Sequence, residues 1–269
     1  MKLRNHYYID SIRSKCCVYI RKNASTIFKK IIIDLASSKI KALSLSPTQM
    51  MFKSGYVSLE NARLCRERVF VLRDPTERVI SGFLNRFIMK VPTASKEGVG
   101  KSIHSICGRD PLSITFSSFV SDYLSSGLSK VDNHFATVVS HLGPFNYTKV
   151  MLDKFLYDDA KFIFGDETAD KHFFIKRNAT NKCITADLKN AFNIPASELF
   201  LMYQSSGVLP TKESLMDSSV VAAIKDLYSA DYDIYTDYIS RRSKNGNLPV
   251  NIDMTNKKNQ TLVGGMALT

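Results

Sequence analysis

Glycine-rich phosphate signatures, paired metal-binding cysteines and long apolar runs are all missing from this 269-residue chain, and each absence removes a class of function. No stretch approaches the ~20 apolar residues that span a bilayer, and the N-terminus has no apolar core of the signal type. The expectation is therefore a soluble, cytoplasmic protein. Five cysteines make an odd set without metal-ligand spacing, which fits reduced thiols better than a disulfide framework. The adjacent Cys16 and Cys17 read as packing residues. The nearest approach to a glycine-rich nucleotide loop is Gly98-Val99-Gly100-Lys101-Ser102. It has Ser95 where the first glycine belongs and no strand before it, so a flexible surface loop is the favoured reading. Helix-turn-helix, zinc-finger and single-strand-binding signatures do not occur, and no internal repeat is evident.

Acidic residues are also scarce. Lys and Arg number 37 against 25 Asp and Glu, a net charge of +12, which calls for anionic partners: nucleic acid, anionic lipid, an acidic glycan or a multiply charged nucleotide. The basic residues are scattered apart from Arg241-Arg242-Ser243-Lys244, and this ranks nucleic acid low. With 44% hydrophobic residues the chain can bury one large core. One domain over residues 1–242 is expected, followed by a polar, poorly ordered tail over 243–269.

Val69 to Leu72 is an unbroken run of apolar β-formers, as a strand covered on both faces of a parallel sheet requires. Asp74 then reads as an N-cap, Pro75 as the first helical residue and Glu77 as the third, so a helix starts immediately after the strand. Val79, Ile80, Phe83, Leu84 and Phe87 share one helical face, leaving Arg78, Ser81 and Asn85 on another. Arg73 sits at the joint, at the carboxyl end of a strand, where open α/β sheets bind ligands.

A second strand, turn and helix lies upstream. Cys16 to Ile20 leads through Arg21, Lys22, Asn23, Ala24, Ser25 and Thr26 into Ile27, Phe28, Ile31, Ile32 and Leu35 on one helical face. Backbone N–H groups at such a turn, aided by the helix dipole, can hold an anion. Lys22 adds a mobile charge, and Ser25 and Thr26 add hydroxyl donors. Elsewhere, residues 37–66 read as mixed structure with a strand near the surface, and Ser54-Gly55-Tyr56 as a turn. Residues 92–111 read as a mobile loop supplying acceptor contacts, and residues 113–125 and 213–240 as helical. Tyr147 to Leu152 reads as a strand entering a helix that ends near Gly165.

These residues carry a family resemblance. Lys22-Asn23-Ala24-Ser25-Thr26 resembles the 5′-phosphosulfate loop of sulfotransferases, Lys-x-Gly-x-Thr, with Ala24 at the glycine. Arg73, Asp74, Pro75, Arg78, Ser81 and Phe87 match, at the right spacing, the 3′-phosphate motif of the carbohydrate (Golgi-type, family 2) sulfotransferases. Asp132-Asn133-His134-Phe135 is similar to that family's Asp-x-His-aromatic segment, although Thr137-Val138 follows where the family has Pro-Gln. Tyr228 to Tyr238 is similar to its late Tyr-x-x-Asp-aromatic helix. The absence of an anchor favours a bacterial-type member or a trimmed chain.

The resemblance implies an α/β fold with a central, mainly parallel sheet flanked by helices, of the P-loop-like sulfotransferase type. It implies 3′-phosphoadenosine 5′-phosphosulfate as sulfuryl donor, adenosine 3′,5′-bisphosphate as product, a hydroxylated acceptor such as a carbohydrate, and no metal. Arg21, Lys22, Asn23, Ala24, Ser25 and Thr26 would hold the 5′ end, Arg73 and Ser81 the 3′-phosphate. Lys22 would neutralise the leaving oxygens and His134 would take the acceptor's proton, with His104 and Glu60 in reserve. Competing readings are structural. Arg73 could cap sheet carbonyls and pair with Glu77, Lys22 could be solvated, and His134 could be a hydrogen-bonded structural residue, while His172 reads as surface or strand packing. The glycosylation-type triplets Asn23-Ala24-Ser25 and Asn178-Ala179-Thr180 read as coincidence, since the first would block the loop.

Overall fold

The computed structural model describes residues 5–54, 56–90, 99–174 and 184–255. Its strands are β1 (His6–Tyr8), β2 (Lys15–Val18), β3 (Glu67–Leu72), β4 (Asn146–Tyr147), β5 (Lys149–Leu152), β6 (Ile184–Ala186), β7 (Val208–Pro210) and β8 (Ile252–Asp253). The main sheet runs β1-β2-β3-β5, with β1 antiparallel at the edge and the other three mutually parallel. The chain groups into two compact units, one of Met1–Arg73, Val138–Lys176 and Asp233–Thr269, the other of Asp74–Thr137 and Arg177–Tyr232. Both draw on separated stretches of chain, so no single cut divides them.

The first unit holds the sheet. Alternation along its strands sends Cys17, Val69, Val71 and Met151 to one face, where they meet Phe28, Ile31 and Ile32 of the helix Ser25–Asp34 and Ala160, Ile163, Ala169 and Phe173 of the chain after β5. On the opposite face Phe70 packs edge-on to Tyr147 at 5.2 Å, and the Tyr238 hydroxyl donates to the Val150 carbonyl at 2.6 Å. The strands are therefore covered on both sides, as their continuous apolar runs require.

Two expectations fail in this unit. Residues 37–66 form helices Ser38–Lys41, Pro47–Lys53 and Leu59–Leu64 where a surface strand was expected. Ser37, Ser46 and Ser58 each accept a hydrogen bond from the backbone three residues on, and these caps start helices that apolar spacing does not signal. The polar tail is ordered further than expected: helix Ser229–Lys244 passes residue 243, and β8 pairs with β4, burying Ile252 and Met254. Arg242, part of the basic cluster in the sequence, is buried in a two-point ion pair with Asp159 at 2.7 and 2.9 Å, and its guanidinium lies over the Phe155 ring. Residues 256–269 and Gly55 lie outside the described residues.

The second unit is mainly helical. Its core gathers Phe83 and Phe87 with Phe116, Phe119 and Phe135, ring centroids 4.8–5.4 Å apart along the chain of contacts. The helix Pro75–Phe83 starts where the sequence placed it, with Asp74 accepting from the Glu77 N–H at 3.0 Å. In place of part of the expected 92–111 loop stands the helix Val99–Cys107, because Val99, Gly100 and Ile103 bury against the aromatic core and Tyr123 donates to Ser102 at 2.8 Å. Lys101 and Ser102 thus belong to a packed helix; residues 91–98 lie outside the described residues. Among the described residues, no helix is long and apolar enough to cross a membrane.

Candidate functional site

At the carboxyl end of the parallel sheet, in the first unit, the sequence places a turn with an unusual backbone. Lys22 and Ala24 both adopt positive φ, 70° and 51°, on either side of the buried Asn23. Left-handed conformations cost L-residues roughly 1–2 kcal/mol each, so the surroundings must hold the turn in place. Two contacts from β3 do this. The Asn23 side-chain amide donates to the Val71 carbonyl at 2.8 Å, and the Arg73 guanidinium donates to the Lys22 carbonyl at 3.1 Å. The two β-to-α junctions singled out in the sequence, 51 residues apart by that bond, therefore meet. The residue standing in for glycine, Ala24, takes the glycine-like conformation with its Cβ present.

Ala24 is also the N-cap of the helix Ser25–Asp34. It provides no side-chain cap, and the helix has no acidic residue in its first turn. Among the described residues, neither a side-chain cap nor a first-turn carboxylate offsets the positive end of the dipole there. The second junction is the reverse case: Asp74 occupies its own helix N-terminus with a carboxylate, and Glu77 adds another charge in the first turn. An anion is therefore favoured at the Lys22 turn and disfavoured at the start of the second helix. Within the turn, the Ser25 hydroxyl is engaged by the Tyr19 phenol, whose pKa is raised mainly by burial. Thr26 is exposed and Arg21 half-buried. Asn23 Oδ1 is buried without a hydrogen-bond partner among the described residues.

Arg73 Nε lies 3.3 Å from Asp153, and Glu77 meets Lys212 at 3.2 Å. The sheet register explains the Arg73–Asp153 pair: β3 and β5 are parallel with Leu72 opposite Leu152, so the next residues, Arg73 and Asp153, leave neighbouring strands at one level. Sequence reasoning passed over Asp153. The available signal was that both Val69–Leu72 and Val150–Leu152 are apolar runs ended by a charged residue of opposite sign.

The remaining expected residues belong to the second unit. Ser81 is half-buried, two turns into the helix Pro75–Phe83. His134 is held by Asp132, whose Oδ1 takes both the His134 backbone N–H at 2.8 Å and the ring Nδ1 at 2.5 Å. Burial alone would raise the Asp132 carboxyl, but hydrogen bonds and charge from His134, with Arg86 beyond, hold it down at about 2. The segment is fixed from behind, since the Asp132 N–H donates to the Tyr123 hydroxyl at 2.8 Å. His104 and Glu60 are exposed on helices, and His172 is half-buried 3.7 Å from Asp34.

The motif arginine Arg78 is a packing residue. It is buried against Asp231 at 3.4 Å, donates to the Ala136 carbonyl at 2.8 Å and lies over the Tyr228 ring. Tyr228 donates to the Phe135 carbonyl at 2.5 Å, and the Tyr232 hydroxyl bonds Thr76 at 2.6 Å. Tyr228, Asp231 and Tyr232 are the Tyr-x-x-Asp-aromatic residues. Three separate sequence echoes are therefore one packing network around the helix Pro75–Phe83.

A family model described as "Sulfotransferase family" matches residues 5–238, a span holding the Lys22 turn, Arg73, Asp153 and the Arg78 network. No curated protein and no solved structure gives a significant match. With most of the chain inside that match, the protein belongs to the sulfotransferase family and is a transferase of sulfuryl groups.

Proposed function

We propose that the sulfuryl donor is 3′-phosphoadenosine 5′-phosphosulfate and that the acceptor is a hydroxyl of a carbohydrate or similar molecule. One observation carries this reading: the Arg73 guanidinium donates to the Lys22 carbonyl, so the Lys22 turn and a second cationic side chain, Arg73, share the carboxyl edge of one parallel sheet. A donor with phosphate groups at opposite ends of a nucleoside suits two such subsites, and a basic chain suits its charge.

Sulfuryl transfer breaks the bond between sulfur and the 5′-phosphate oxygen and forms one between sulfur and the acceptor oxygen. Charge builds on the leaving phosphate. The uncapped helix N-terminus and the Lys22 ammonium stabilise that charge without reorganising, because the turn is already held by Asn23 and Arg73. The motif match adds two roles: Ser81 with Arg73 binds the 3′-phosphate, and His134 takes the acceptor's proton. A histidine bonded through Nδ1 to a carboxylate has Nε2 as its proton-accepting nitrogen and a partner that stabilises the imidazolium formed. The exposed position of Thr26 suits it to a ligand hydrogen bond, whereas Ser25 contributes chiefly through its backbone.

The test is turnover. Incubated with the donor and a panel of neutral and acidic saccharides, the protein is expected to release adenosine 3′,5′-bisphosphate only when an acceptor is present. Lys22→Ala is expected to lower that rate by about a hundredfold or more, the scale of losing one transition-state charge contact. The rival reading is a polyanion-binding protein without turnover. It predicts no acceptor-dependent release, with nucleotide binding that tracks ligand charge and falls steeply with salt.

A further inference from the structure

The carboxylate of Asp153 stands where a site for phosphate has no evident use for a negative charge. Its own backbone is firmly placed: it follows Leu152, whose N–H donates at 2.7 Å to Asp159, and Asp159 is locked in the buried pair with Arg242. The Asp153 side chain therefore projects from a fixed point at the end of β5, 31% exposed, towards an Arg73 side chain that is 15% exposed. Arg73 is thus held from two directions, by a carboxylate on Nε and by the Lys22 carbonyl on Nη1.

We infer that Asp153 is a positioning residue for donor binding, fixing the Arg73 guanidinium so that it meets the nucleotide's 3′-phosphate, while the brace on the Lys22 turn is the separate Nη1 contact. This inference rests on the donor reading proposed above. The two effects of the carboxylate have opposite signs. Its charge repels an incoming phosphate across a partly wet, high-dielectric gap, which screens the repulsion. Its contact with Nε removes the rotamer freedom of a long, flexible side chain before the ligand arrives, and that ordering otherwise weighs against binding. A guanidinium fixed in plane also keeps the geometry that bidentate phosphate recognition needs. Orientation outweighs repulsion here because the pair is partly buried and Arg73 has a second, fixed anchor.

Calorimetric titrations separate the two effects. Wild type, Asp153→Asn and Asp153→Glu are each titrated with adenosine 3′,5′-bisphosphate and with adenosine 5′-monophosphate, which lacks the 3′-phosphate. Asp153→Asn is expected to weaken the bisphosphate by about tenfold, the upper end of the cost of ordering one long side chain, and to leave the monophosphate unchanged. The preference for the bisphosphate then falls by the same factor. Asp153→Glu keeps the preference within about threefold, since it retains the carboxylate. Adding Asp153→Asn to Arg73→Ala has no further effect. Monophosphate affinity serves as the folding control.

Unchanged or tighter bisphosphate binding in Asp153→Asn overturns the inference and leaves Asp153 as a repulsive neighbour only. Equal loss for both nucleotides, or a loss that persists without Arg73, also overturns it. A wild-type protein that does not distinguish the two nucleotides overturns the donor reading itself, which the Asp153 variants alone cannot do.

Discussion

Ala24 shares the strain of its turn with Lys22: its φ of 51° is a region where a Cβ crowds the following carbonyl. Ala24→Gly is expected to raise stability by no more than about 1 kcal/mol, because relief of that crowding is partly offset by glycine's greater freedom in the unfolded chain. Ala24→Val, β-branched in the same region, lowers it by about 1–2 kcal/mol. Urea unfolding of the two variants reads both effects, and a destabilised Ala24→Gly would contradict the strain. Residue identity at this scale was legible where chemistry is local: Lys22, Asn23 and Arg73 follow strands and precede helices, and a local pattern marks them. Asp153 was not, because its partner lies on a neighbouring strand and only the register brings them together. The partner of Arg78 was not legible for a related reason: helical spacing places it off the apolar face but does not reveal Asp231, 153 residues away.

Among the elements, the helix Pro75–Phe83 is the most closely determined by its neighbours. A Cβ on Gly82 would lie 2.6 Å from Phe135 Cε1, and the Phe135 ring cannot retreat because it is fully buried 4.8 Å from Phe119. Overpacking of this kind costs about 1–3 kcal/mol and outweighs the ~1 kcal/mol that alanine offers over glycine inside a helix. Gly82→Ala is thus expected to lower the melting temperature in spite of the better helix former, and a raised melting temperature would refute the packing. The strand-to-helix units were legible because their apolar periods and caps agree, whereas residues 37–66 and 99–107 were not. In the former, serine caps dominate a segment with little apolar periodicity; in the latter, two glycines suggested a loop although Val99 and Ile103 supply a buried face. The pairing of β8 with β4 joins residues too distant in sequence for any local pattern to signal.

For the whole molecule, the buried His6 sets the response to acid. Burial, then the charge of His141, lowers its pKa from 6.5 to about 3, and its Nε2 bonds the Tyr147 hydroxyl at 3.0 Å. Between those values the unfolded chain binds a proton that the native protein refuses, so stability rises with pH through this window and falls as the solution is acidified. The slope approaches about 1.4 kcal/mol per pH unit from this group alone. His172, also shifted down by partial burial, adds a smaller slope of the same sign. Asp132, held at about 2, loses its contribution only below the ordinary carboxylate range. Denaturant titrations between about pH 4 and 6.5 therefore report mainly on His6, with His172 the smaller part, and His6→Gln is expected to flatten most of the profile there; an unchanged slope would mean that another group is responsible. The most direct test of the central claim is a calorimetric comparison of adenosine 3′,5′-bisphosphate with ADP and ATP. The account predicts tight, one-to-one binding of the bisphosphate, little response to the other two, and loss of the preference in Arg73→Ala; equally weak binding of all three nucleotides would contradict it.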